Sequence, residues 1–218
     1  MPTVTERRLT FTFPDEWQVV AYDRPADPAT GEPASFYRRV VEKGGVQQVR
    51  GMDIVCRLPG LPERLQLLEV KDDRKWQPEP LECPKCGRTK SGCSWCERKK
   101  EPRHVELFRT VMQKSAGTLA GLLLAERLGD DSLRPYACLS QQPVITVVLY
   151  LLEAAPPTGP ATPGENNLYR LPGKERKTGL DQRLTEKLAE WGIQFYLYDN
   201  TPARQPPDWQ VSEQQANP

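Results

Sequence analysis

Fifteen residues separate Asp53 from Glu69, and Lys71 follows two positions later. In an extended strand successive side chains alternate faces, so Leu65, Leu67, Glu69 and Lys71 share one side while Gln66, Leu68 and Val70 share the other. By the same parity Gly51, Asp53 and Val55 share a face of the preceding apolar run, opposite Met52, Ile54 and Cys56. If the two runs pair as a hairpin, Asp53 turns toward Glu69. Two carboxylates on rigid strands, with the Val70 carbonyl as a third oxygen donor, suit Mg²⁺ or Mn²⁺, which keeps its other positions for water and a substrate phosphate. A neighbouring ammonium, Lys71, can orient the attacking water and oppose the charge that develops on the phosphoryl group.

A second cluster is Cys83, Cys86, Cys93 and Cys96, two C-x₂-C turns separated by six residues. Each turn presents two thiolates to one tetrahedral ion, and the predicted occupant is structural Zn²⁺, saturated by four sulfurs and closed to substrate. The short spacer predicts a compact knuckle; disulfides and an iron–sulfur cluster are the other chemistries such a quartet supports. Cys56 and Cys138 stand singly in apolar segments and are expected as buried thiols. Arg88, Lys90, Arg98, Lys99 and Lys100 surround the cysteines, and with Trp95 to stack they form a candidate nucleic-acid grip; a solvated basic loop is the plainer alternative.

The elements that must position these groups can be read from periodicity. Leu9, Phe11 and Phe13, then residues 17–22, predict an opening hairpin, and a Pro-rich loop fills 23–34. Ser35 offers a helix cap before Phe36, Tyr37, Val40 and Val41, with a stop at Gly44-Gly45. Residues 48–57 and 64–71 predict the strand pair. Residues 76–103 shift to Cys, Lys, Arg and Pro without apolar periodicity and read as an insertion folded by metal. A long helix over 105–128 shows Phe108, Val111, Met112, Ser115, Leu119, Leu122 and Leu123 on one face. Its Ala116, Gly117, Ala120 and Gly121 permit close approach to a sheet. Residues 143–152 are almost wholly apolar and β-branched, as expected of a central strand covered on both faces. A helix from 180 to 191, with Leu184, Leu188 and Trp191 on one side, and a strand over 193–198 complete an α/β domain with a mixed sheet. The expected organisation is one domain over 1–200, the insertion 76–103 within it, and a disordered Pro/Gln-rich tail or docking peptide over 201–218.

Asp53 and the run Glu69-Val70-Lys71, in this order of elements, resemble the PD-(D/E)XK nuclease superfamily, with Met52 where that motif usually has proline. The resemblance spans roughly Ser35 to Leu152. It implies a restriction-endonuclease-like mixed sheet flanked by helices and a Mg²⁺-dependent phosphodiesterase acting on nucleic acid, with DNA the favoured substrate. It also implies an acidic contribution from the first helix, for which Glu42 is the matching residue, and a DNA- or water-contacting role for Gln113 and Lys114.

The composition narrows the rivals. The formal charge of +1 gives no global attraction for polyanions, so binding must be local. His104 is the sole histidine, which argues against Ser-His-Asp hydrolases and His-ligated catalytic zinc. Neither GxxxxGK[ST] nor GxGxxG occurs, so an ATPase or targeting activity would come from a protein partner. No long apolar run or secretory layout is seen, and a cytoplasmic protein without membrane association is expected. Two other functional classes fit: a non-catalytic nuclease-fold subunit assembling with partners, by analogy in phage defence, and a zinc-stapled nucleic-acid-binding protein whose acidic strand pair is structural.

Overall fold

The computed structural model describes residues 1–43, 49–60, 63–74, 103–152 and 165–213. A five-stranded sheet runs in the order β3 (Gln18–Ala21), β4 (Ile54–Leu58), β5 (Arg64–Asp72), β6 (Val144–Leu152) and β7 (Gln194–Asp199). Its first two pairings are antiparallel and its last two parallel, so the sheet is mixed. β5 is the middle strand and β6 lies beside it. Both are buried along most of their length, which explains their lack of polar alternation.

The faces of this sheet follow strand parity. Val55, Leu65, Leu67, Val147, Leu149, Leu151 and Leu197 join one core. The helices α1 (the π-helical run Tyr37–Glu42), α2 (Arg103–Leu128) and α3 (Glu165–Ala189) pack their apolar side chains into that core. Ile54, Cys56, Leu68, Val70, Val148, Tyr150 and Leu152 form the other. That second face is covered by a three-stranded antiparallel sheet, β1 (Thr3–Glu6), β2 (Leu9–Thr12) and β8 (Gln210–Glu213), through Leu9, Phe11, Phe13 and Trp209. Among the described residues the main sheet is therefore flanked by helices on one face only.

Several expectations change. The predicted opening hairpin divides between two sheets: β2 pairs with β1 and β8, and β3 pairs with β4. The C-terminal run is not a disordered tail through its whole length, because β8 pairs with β2 and Trp209 is buried among Phe11, Phe13, Tyr150 and Tyr198. α3 begins well before residue 180. Leu123 and Trp191, expected inward, are about half exposed at 57% and 48%; Ala116 and Ala120 are exposed too. Val111, Ser115 and Leu122 of the predicted face are buried and Phe108, Met112 and Leu119 pack partly buried against the core, while Leu107, Lys114, Thr118 and Ala125 extend the buried face of α2 beyond the one predicted.

Gly117 and Gly121 do carry a close approach. A Cβ on Gly117 would stand 2.3 Å from the Arg50 carbonyl oxygen, and one on Gly121 would stand 2.1 Å from the Tyr22 hydroxyl. α2 consequently presses on residues 49–53, which leave the strand expected there. The Met52 amide donates to Thr118 Oγ1 at 2.8 Å, and the Tyr37 hydroxyl donates to the Val49 carbonyl at 2.7 Å. Among the described residues no helix is long and apolar enough to cross a membrane.

Candidate active site

Asp53 lies just ahead of β4. Its amide donates to the Leu68 carbonyl at 3.1 Å, and its carbonyl accepts the Tyr22 amide at 2.9 Å, so its backbone is held from both sides. Ile54 pairs with Leu68, and one further step in that antiparallel register sets Asp53 opposite Glu69. Asp53 Oδ2 accepts the Val70 amide at 2.8 Å. The hairpin thus joins the two acidic positions through backbone as well as side chain, as the parity argument expected.

Glu69 is completely buried, at 0% exposure. Lys71 Nζ stands 2.6 Å from its Oε1. Lys114 Nζ, from α2, stands 2.7 Å from its Oε2 and 2.9 Å from Asp53 Oδ1. Two carboxylates that touch one ammonium nitrogen are close enough to share one hydrated cation. Although both ammonium groups lie within ion-pair distance of Glu69, neither of its oxygens makes a hydrogen bond of normal geometry among the described residues. They are buried acceptors with capacity to spare.

Electrostatics reflect this crowding. Burial, reinforced by the Asp53 charge, raises the Glu69 pKa, and Lys114 and Lys71 only partly oppose the shift. Burial alone would lower the Lys114 pKa, but Glu69 and Asp53 outweigh it and the net shift is upward.

Lys114, for which the resemblance implied a DNA- or water-contacting role, is buried against the acidic pair; Gln113 beside it is exposed. A signal for this exists, since position 114 falls in helical register with Leu107, Val111, Thr118 and Leu122, and a lysine on a buried stripe requires carboxylate partners. Glu42 is not drawn to the pair: it is 44% exposed and bridged to Arg38 at 2.8 Å. Arg38 Nε in turn stands 2.5 Å from Asp23 Oδ1.

Two acidic residues join the neighbourhood without having been expected there. Asp23 follows β3 and Glu6 ends β1. Burial raises the pKa of both, and each also feels the charges of Asp53 and Lys114. Distances across loops and between sheets brought them in, and strand parity carries no information about those.

The donor set fits a hard divalent cation: two carboxylates, one of them fully buried, beside the backbone of Val70. Among the described residues no three His, Cys, Asp or Glu side chains assemble around one point, and the acidic cluster here is the two residues Asp53 and Glu69. Such a pair leaves several positions to water, as Mg²⁺ prefers. Cys83, Cys86, Cys93 and Cys96, with Arg88, Lys90, Trp95, Arg98, Lys99 and Lys100, lie outside the described residues. Cys56 and Cys138 are free and buried as expected. No family model, curated protein or solved structure matches this chain.

Proposed function

We propose that the protein is a metal-dependent nuclease of the PD-(D/E)XK type that hydrolyses phosphodiester bonds, with DNA as substrate. The observation that carries this reading is the convergence of Asp53 and the fully buried Glu69 on one point, with the Lys71 ammonium beside them. The order of α1, β4, β5, α2 and β6 supports the restriction-endonuclease-like form of the α/β fold.

Asp53 and Glu69 would hold Mg²⁺ or Mn²⁺, with the Val70 carbonyl as a further donor. When bound, the ion supplies Lewis-acid polarisation of a phosphoryl oxygen and acidifies water. Lys71 orients the attacking water and opposes the charge that gathers on the phosphoryl oxygens as the bond from water forms and the ester bond breaks. Burial of Glu69 keeps bulk water from competing for its oxygens. A four-cysteine zinc knuckle over 76–103 belongs to the same reading as a structural metal element.

One observation favours a second reading, a non-catalytic scaffold or nucleic-acid-binding subunit of the same fold. The Lys71 and Lys114 ammonium groups balance the charges of Asp53 and Glu69, so the cluster is already neutral. Buried ion networks of that kind also occur as purely structural features.

The discriminating experiment incubates purified protein with Mg²⁺ or Mn²⁺ on supercoiled, linear and single-stranded DNA and on RNA, beside Glu69→Gln and Lys71→Ala. Metal-dependent cleavage by the parent and its loss in both variants is the expected result. Equal inertness of all three proteins on every substrate would favour the scaffold.

A further inference from the structure

Lys114 bridges the two carboxylates that would hold the cation, with its nitrogen 2.9 Å from Asp53 and 2.7 Å from Glu69. A divalent ion bound by the same two oxygens must lie in nearly the same place, because both oxygens already stand within ion-pair distance of that nitrogen. Lys71 differs, since its ammonium meets Glu69 from the other oxygen, Oε1. Lysine and metal therefore compete for one seat.

We propose that Lys114 is a tethered counter-ion occupying the cation seat, and that binding of Mg²⁺ or Mn²⁺ displaces its ammonium from that seat. This rests on the reading of Asp53 and Glu69 as metal ligands and adds the state of the site before metal arrives. Two observations carry it.

The first is the geometry just given. The second is energetic: with its cation removed, the Asp53–Glu69 pair would set two negative charges side by side in a buried pocket, which is costly. A resident ammonium lets the domain fold without metal.

The exchange also changes what the pocket attracts. With Lys114 seated, two ammonium groups cancel two carboxylates. With a divalent ion in its place and Lys71 unmoved, the pocket carries a single net positive charge, suited to a phosphodiester anion. Metal binding then precedes and promotes substrate binding.

The test uses the full-length protein. Mn²⁺ binding is followed by electron paramagnetic resonance of the free ion, with Asp53→Asn as the control for the site. In parallel, acylation of lysine amines is mapped by mass spectrometry with and without Mn²⁺. Lys114 is 8% exposed and should be protected without metal, then become reactive as Mn²⁺ saturates the site. Lys114→Gln should tighten Mn²⁺ binding about tenfold by removing the competitor, while Lys71→Gln, which deletes the same charge, should change it less than about threefold.

Continued protection of Lys114 at saturating Mn²⁺, or equal tightening in the two glutamine variants, overturns the displacement while leaving the metal site standing. Failure of the parent to bind Mn²⁺ more tightly than Asp53→Asn removes the metal site itself, and the displacement and the proposed nuclease function with it. The labelling arm uses the unmodified chain and stays decisive if Lys114→Gln fails to fold.

Discussion

The Thr118 hydroxyl accepts the Met52 amide at 2.8 Å, one helical turn beyond Lys114 on the buried stripe of α2. The helix that supplies the bridging ammonium therefore also fixes the backbone one residue before Asp53. Thr118→Val keeps the shape and removes the acceptor, leaving a fully buried amide unpaired. We expect a loss of about 1–3 kcal/mol in a urea melt. A melt unchanged within error would show that Met52 finds another acceptor.

Gly117 makes the same contact by proximity. Its Cβ position is 2.3 Å from a backbone oxygen, which cannot rotate away as a side chain could. Gly117→Ala should cost about 1–3 kcal/mol and shift Asp53 relative to Lys114. Metal-dependent cleavage should fall by more than the folded fraction does; a fall matched to the folded fraction would separate this contact from the site.

Glu69→Gln should lower cleavage at least about a hundredfold, because it removes a charged ligand while keeping the volume. Nucleic-acid binding measured without metal should change little. Cleavage within a factor of about two of the parent would place the reaction elsewhere.

The raised pKa of Glu69 gives stability a signed pH dependence. Between the ordinary glutamate value of 4.5 and its own higher value, Glu69 keeps its proton in the folded chain but loses it in the unfolded one. The unfolded state then binds fewer protons, so this contribution is full at low pH and is lost as pH rises through that window. In metal-free urea melts from about pH 4 to about pH 8, the parent should lose stability relative to Glu69→Gln as pH rises. A pH-independent difference between the two proteins would contradict the shift.

Trp209 tests the second sheet. Its ring lies 5.7 Å from those of Phe11 and Phe13 and 6.0 Å from that of Tyr198. Trp209→Ala should cost about 3–5 kcal/mol, where a disordered tail would lose nothing measurable.

Where a rule links one residue to its neighbours along the chain, the sequence was legible. Alternation along β4 and β5 put Asp53, Glu69 and Lys71 on one face, and the apolar run 144–152 announced a strand buried on both sides. Pairings between distant segments were less so. β8 reaches β2 across nearly the whole chain, and its Gln- and Ser-containing residues bear little apolar mark of a strand. Trp209 was the one clue, set in a Pro-rich stretch that resembles a tail. The burial of Lys114 was hard to read for a different reason: a lysine is ordinarily a surface residue, and the carboxylates of two other segments reverse that preference.

Arg74, three positions beyond Lys71, pairs with Asp72 at 2.7 Å and also with Glu213 of β8. The strand bearing Lys71 and the last described strand are thus latched together. Anything that tugs on residue 213, such as an affinity tag or an immobilising surface, pulls on the end of β5 through that latch. Handles for biochemical work are better grafted elsewhere, and a mechanical or chemical load applied there offers a way to perturb the pocket from outside it.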